Sequence, residues 1–175
     1  FHNLKCRRVI VIGGGEIALR KVRLVAEADA FITIVAKEYC NDLIDMRDSN
    51  AKKGIHNLEL ITAAYQQQYI ENNPDAVLVI AATNDPELNR EVSKHAQQAH
   101  MLSNVVDDPG YSTVIFPSIV DRSPIQIAIS SGGDAPVLVR LIRTQLESLF
   151  PAGMSKLAAL AGSFREKVKA NFSNG

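Results

Sequence analysis

Asn104-Val105-Val106-Asp107-Asp108 closes an apolar run with adjacent carboxylates. Carboxylates at the carboxyl end of a buried strand suit proton transfer beside a hydride acceptor, because a carbon that gives up hydride must also lose a proton. A plainer role is open to the same residues, with Asp107 or Asp108 capping the Pro109-Gly110 turn. Ser130-Ser131-Gly132-Gly133 is a loop of donors ahead of a helix. Such a loop can receive an anion, or can simply connect a hairpin to a helix. Arg122, Arg140, Arg143, Arg165, Lys167 and Lys169 form a cationic set, with Arg140 and Arg143 on one helix face at i, i+3. A solvated face is the ordinary meaning of such a set.

A different chemistry is written near the start. Val9 to Ile12 is β-branched and apolar, as in a strand buried on both faces, and Gly13, Gly14 and Gly15 break it. From Glu16 the apolar positions Ile17, Leu24, Val25 and Ala28 recur at helical spacing. Gly13, Gly15 and Ala18 fit G-x-G-x-x-G/A, the fingerprint of a dinucleotide-binding turn. Gly13 permits the tight turn, Gly15 has no Cβ to block a pyrophosphate, and Ala18 lets helix and strand pack closely. The helix start offers N–H groups and a positive dipole end to the phosphates.

The elements that must hold these groups follow in alternation. Phe31–Val35 reads as a second strand, Glu38–Lys53 as a helix stopped by Gly54, and Leu58–Thr62 as a third strand. Tyr65–Asn72 is a short helix ended by Pro74. Ala76–Ala82 is the most uniformly apolar run and the candidate for the central strand. Asp85 or Asn84 caps a helix that opens at Pro86 and runs to about Ala99, and Met101–Val106 is a fifth strand. This alternation implies an α/β fold with a Rossmann-like parallel sheet. Ligands of such sheets lie outside the carboxyl ends of the strands, so the turns Gly13–Gly15, Thr83–Asp85 and Asn104–Asp108 converge on one crevice. Thr83, Asn84 and Asn104 are therefore candidate cofactor-binding residues. The second strand ends Val35-Ala36-Lys37-Glu38, without a carboxylate at the usual ribose-binding place. NAD and NADP both remain open there, and backbone groups at Lys37 and Glu38 are candidates for holding the ribose.

Past Gly110 the pattern changes. Val114–Val120 and Ile125–Ser130 flank a turn at Asp121–Pro124 and read as an antiparallel hairpin. Asp134 is the expected N-cap of a helix with Pro136 in its first turn, running to about Phe150. A basic helix spans Met154–Phe172.

The totals narrow the classes. With 46% hydrophobic and 22% charged residues the chain can bury a core, and its zero net charge argues against a nucleic-acid partner. No apolar run approaches the roughly 20 residues of a membrane span, so no membrane partner is expected. Cys6 and Cys40 match no zinc or disulfide spacing and read as reduced thiols of a cytoplasmic protein. His2, His56, His95 and His100 are scattered, and no metal site is expected.

VIVIGGGEIALRKVRLVAEADAFITIVA, VIAATNDPELNREV, SNVVDDPG and FPSIVDRSPIQIAISSGGDAPVLVRLIR together resemble the siroheme-synthase family, more narrowly its precorrin-2 dehydrogenase and sirohydrochlorin ferrochelatase part. The resemblance covers nearly the whole chain. It implies NAD-dependent oxidation of precorrin-2 to sirohydrochlorin, then insertion of Fe²⁺, a substrate, to give siroheme. It also implies a homodimer joined through the second half, with residues 1–110 as the NAD-binding domain, 111–150 as the dimerisation region and 151–175 as the start of a C-terminal helical region. Relatives continue with further helices and, in fused forms, a uroporphyrinogen methyltransferase domain, an activity not encoded in this stretch.

Carried over by motif, the resemblance puts the catalytic aspartate on Asp107. Cofactor-binding positions fall on Glu16 and Ile17 and on Lys37 and Glu38, and the tetrapyrrole-facing loop falls on Ser130, Ser131, Gly132 and Gly133. Asp108 stands where the family pattern often has a small residue, which leaves the base open between Asp107 and Asp108. Because precorrin-2 is a polycarboxylate, Arg122 and Arg140 are expected to orient it. Competing readings are a dehydrogenase without the chelatase step and an NAD(H)-sensing regulatory module.

Overall fold

The apolar run at the head of the chain forms β1 (Arg8–Ile12), in which Val9 to Ile12 are all buried. Both faces of this strand are covered, which is why its residues do not alternate with polar ones. The computed structural model describes residues 2–171 and divides the chain into Phe1–Ile115 and Phe116–Gly175.

In the first unit β1 is followed by α1 (Glu16–Ala26), β2 (Phe31–Ala36), α2 (Asn41–Lys52), β3 (Leu58–Thr62), α3 (Gln68–Glu71), β4 (Ala76–Ala81), α4 (Pro86–Gln98) and β5 (Leu102–Val105). All pairings are parallel and the order is β3-β2-β1-β4-β5. The expected α/β alternation is present, with one correction to position. The centre belongs to β1, and β4, which reads as the central strand by composition, lies between β1 and β5. Uniform apolarity marks burial on both faces, which β1 and β4 share, so it cannot order them.

The buried face of α1 is Ala18, Leu19, Val22 and Val25. Ile17, Leu24 and Ala28, taken from the sequence as face positions, are only partly covered. α1 packs on β1 and β2, and α4 packs on β4 and β5. On one side of the sheet Ile10, Ile12, Val79, Ala81 and Val105 cluster with Val92 and Ala96 of α4 and with Ile70 of α3. α2 begins three residues later than the pattern suggests, because Lys37–Cys40 first folds across the glycine turn. The Cys40 N–H donates to the Gly14 carbonyl at 2.8 Å. The Tyr39 hydroxyl lies 2.6 Å from the Ile61 carbonyl and 3.0 Å from that of Ile34.

The first unit extends past Gly110. Thr113 and Val114 both donate backbone N–H groups to the Ser103 carbonyl, so the segment after the Pro109–Tyr111 3-10 turn runs back along β5.

In the second unit β6 (Ser118–Arg122) and β7 (Ile125–Ile129) pair antiparallel. The expected first strand Val114–Val120 is displaced: residues 114–117 are irregular, and Asp121 and Arg122 pair with Gln126 and Ile125 inside the ladder. The turn is thus Ser123-Pro124 alone. It is held by Asp121, whose Oδ1 accepts from the Ser123 N–H and hydroxyl, each at 2.7 Å. α5 (Pro136–Leu149) packs on this hairpin, and α6 (Met154–Asn171) follows. The expected end of the last helix at Phe172 lies outside the described residues, as does the side chain of Lys167.

Candidate active site

The parallel register brings the carboxyl ends of β1, β4 and β5 together. Ile12 is level with Ala81, and Ala81 with Val105, so the turns that follow them are neighbours. The Ala82 N–H donates to the Ile12 carbonyl and the Val106 N–H to that of Ala81, carrying the pairing to the rim.

Each glycine of the β1–α1 turn has its own reason. Gly13 sits at φ +125°, and a Cβ there would overlap the Ala82 carbonyl. At Gly14 a Cβ would overlap the Glu38 carbonyl, so this glycine, absent from the sequence fingerprint, admits the loop after β2. A Cβ at Gly15 meets nothing within 4 Å, and its φ of −88° suits any residue. Gly15 is also the N-cap of α1 and brings no side chain to its first-turn N–H groups. By contrast Asp85 caps α4, accepting from Glu87 and Leu88 at 3.0 and 3.1 Å. An open, uncapped helix start behind a glycine fits a pyrophosphate. Glu16 and Ile17 form that first turn, and Lys37 and Glu38 are exposed at the end of β2.

The Thr83–Asp85 turn is clamped by a residue that the sequence did not mark. Asn89, buried in α4, accepts from the Thr83 N–H at 3.0 Å and hydroxyl at 2.7 Å, and its amide donates to the Thr83 carbonyl at 3.0 Å. Asn84 is exposed beside it. Asn104 is buried in β5, where its amide donates to the Val114 carbonyl at 2.9 Å and its Oδ1 has no hydrogen-bond partner among the described residues. An orphaned buried acceptor next to the turns that flank the crevice is a second feature that fits a bound amide-bearing group.

The two carboxylates after β5 part company. Asp107 is exposed and adopts φ +57°, a conformation rare outside glycine. Asp108 turns to α4, where its Oδ2 pairs with Arg90 Nε at 3.1 Å, and Arg90 also reaches Glu87 at 2.8 Å. Burial holds the Lys21 amine of α1 below its ordinary value, with the Asp107 carboxylate acting in the opposite direction. Lys21 and Arg90 were not legible as site residues, since a lysine or arginine on an amphipathic helix carries no pattern of its own.

In the second unit the loop Ser130–Gly133 is largely exposed, with Gly132 and Gly133 at φ +68° and +103°. Ser130 Oγ accepts from the Gly132 N–H at 3.1 Å and Ser131 Oγ from the Ala135 N–H at 2.9 Å. Ala135, not the expected Asp134, stands at the N-cap position of α5, and no side chain caps its first turn. The Arg122 guanidinium donates to the carbonyls of Phe150, Asp121 and Glu147 at 2.6, 2.8 and 3.4 Å, and so finishes the C-terminus of α5. Arg140 is exposed on α5, whereas Arg143 is paired with Glu147 at 2.9 Å. Among the described residues no three His, Cys, Asp or Glu side chains are grouped to hold a metal ion.

Parallel order 3-2-1-4-5 with a glycine turn after the first strand defines a nucleotide-binding α/β domain. A family model described as NAD(P)-binding matches residues 1–118, and one described as sirohaem biosynthesis protein central matches residues 122–149. Siroheme synthase of Stutzerimonas stutzeri (strain A1501) is 48% identical over 174 residues, 99% of this chain and 36% of that protein. The siroheme synthase of Pseudomonas entomophila (strain L48) is 51% identical over 170 residues, 97% of this chain and 35% of that protein. The solved structure of SirC, precorrin-2 dehydrogenase, shares the fold with a TM-score of 0.71 at 24% identity, covering 91% of this chain and 74% of that one. The chain belongs to the siroheme-synthase family as an NAD(P)-binding member, and it spans about a third of the length of the curated relatives it matches.

Proposed function

We propose that this chain is an NAD-dependent precorrin-2 dehydrogenase that makes sirohydrochlorin, and that it also carries sirohydrochlorin ferrochelatase activity with Fe²⁺ as substrate. The observation that carries the reading is the presentation of Asp107: exposed, left-handed, at the carboxyl end of β5 on the same rim of the sheet as the glycine turn, with its neighbour Asp108 withdrawn into an ion pair. NAD, when bound, supplies the hydride acceptor. The chain's own groups do the rest. First-turn N–H groups at Glu16 and Ile17 hold the pyrophosphate, and Lys37 and Glu38 border the adenosine ribose. Thr83, Asn84 and Asn104 line the nicotinamide side. Asp107 accepts the proton that leaves the macrocycle as its hydride departs, and takes pyrrole protons when iron enters.

The lack of a carboxylate at the end of β2 is neutral between NAD and NADP, and NAD is the choice made by resemblance to the family. The loop Ser130–Gly133 and the exposed Arg140 are assigned to the carboxylates of the tetrapyrrole. Substrate docking is assigned to a homodimer, because α5 and α6 expose Val137, Leu138, Leu141, Leu157, Leu160 and Phe164, each at least half open. Two free cysteines support a reducing compartment, the cytoplasm.

NADH formation with precorrin-2 and NAD under anaerobic conditions tests the first activity. Asp107→Ala should lose on the order of 10²-fold or more in rate. Full turnover by that variant would remove Asp107 from the mechanism. Sirohydrochlorin with Fe²⁺ or Co²⁺ tests the second activity separately.

A further inference from the structure

We propose that Arg90 is a positioning residue for Asp107, acting through Asp108, so that one helix sets both the proton acceptor and the turn on the nicotinamide side. This rests on the reading of Asp107 as the proton acceptor. A left-handed backbone at an L-residue persists only where its neighbours fix it from both sides. Before Asp107 the chain is fixed by β5: the Val105 N–H donates to Ser112 Oγ at 2.9 Å and the Val106 N–H to the Ala81 carbonyl at 3.0 Å. After it, the Asp108 backbone is held by its N–H on the Val105 carbonyl at 3.4 Å and by the Ser112 hydroxyl on its own carbonyl at 3.1 Å, and its side chain is held by the Arg90–Asp108 pair.

Arg90 is itself held by three groups. Nη1 pairs with Glu87, Nε with Asp108, and the guanidinium lies 5.1 Å from the centre of the Tyr111 ring. The helix that carries it reaches the same loop again one turn later. There the Ser93 hydroxyl donates to the Tyr111 carbonyl at 2.6 Å and exchanges a 3.0 Å hydrogen bond with the Ser103 hydroxyl. At its other end α4 starts from Asp85, and Asn89 fixes Thr83. The Thr83–Asp85 turn and the Asp107 turn therefore hang on the first two turns of α4. Proton transfer needs heavy atoms within hydrogen-bond reach, so a small rotation of the Asp107 peptide removes the carboxylate from its place without altering the rest of the fold.

The test compares Arg90→Gln, Asp108→Ala, their combination and Asp107→Asn in the full chain, with precorrin-2 and NAD as probes. Arg90→Gln and Asp108→Ala should each lower kcat roughly tenfold, with KM for NAD and precorrin-2 within about twofold of the parent. The double variant should be no slower than the slower single variant, since both break one contact. Arg90→Lys, which keeps the charge but not the planar fork, should fall between Arg90→Gln and the parent. Parental kcat in Arg90→Gln and Asp108→Ala, while Asp107→Asn is inactive, overturns the positioning role and leaves Asp107 as the acceptor. Losses that multiply in the double variant also overturn it. Turnover retained in Asp107→Asn overturns the underlying reading and this proposal with it. Should Arg90→Gln fail to fold, Asp108→Ala, a substitution in the loop, decides alone.

Discussion

At the scale of single residues, the glycine turn separates two demands that its motif merges. Gly13 answers to the protein, because its φ of +125° and the nearby Ala82 carbonyl exclude a side chain. Gly15 does not, because a Cβ there touches nothing of the protein, and its proposed role is to leave room for the cofactor's pyrophosphate. Gly13→Ala should therefore cost stability, about 1–3 kcal/mol from the backbone alone, read as a lowered melting temperature. Gly15→Ala should leave the melting temperature at the parental value and weaken NAD by roughly tenfold, about 1.4 kcal/mol, in a calorimetric titration. Equal effects of the two variants on stability would contradict this division. The adjacent aspartates separate in the same way: the sequence places both at a strand end, and only the Arg90 contact tells which one is engaged.

At the scale of elements, local rules predicted most starts and stops. Asp85 caps α4 with Pro86 in its first turn, and Gly54 follows α2 at φ +73°. Where the expectation failed, contacts outside the local pattern had intervened. α2 starts late because the Cys40 N–H is engaged at the Gly14 carbonyl and the Tyr39 hydroxyl at the Ile34 and Ile61 carbonyls, and the N-cap of α5 is Ala135, whose N–H is taken by Ser131. The hairpin turn carries a pH prediction. Hydrogen bonds from Ser123, then Gln126, hold the Asp121 carboxyl below its ordinary value. A depressed carboxylate stabilises the fold above its ordinary value, and that stabilisation is lost as pH falls through the lowered one. Asp121→Asn should therefore lower stability at neutral pH and narrow the gap to the parent in strong acid, followed by denaturant melts across that range. A gap that widens in acid would reverse the sign and refute the assignment.

At the scale of the whole molecule, the two units differ in how they are stabilised. The first buries both faces of a parallel sheet, while α5 has no buried residue and leaves Leu141 at 60% exposure and Val137 at 64%. Apolar helix faces of this kind are normally covered. The proposed homodimer supplies the cover: Leu141→Asp should shift sedimentation to the monomer and leave NAD binding by the first unit intact. A parental dimer in that variant would place the interface elsewhere. No helix among the described residues is long and apolar enough to cross a membrane.

The sequence by itself determined the alternation of strands and helices, the glycine turn, the α4 cap and the carboxylate-bearing strand end, because each depends on residues close together in the chain. The tertiary structure alone decided that β1 is central, that Gly14 makes room for the Glu38 loop, that Arg122 closes α5, and that Asp108 belongs to Arg90. Those outcomes depend on contacts between groups distant in the chain, 18 residues apart for Arg90–Asp108 and 28 for Arg122–Phe150, and no periodicity or spacing rule records such contacts.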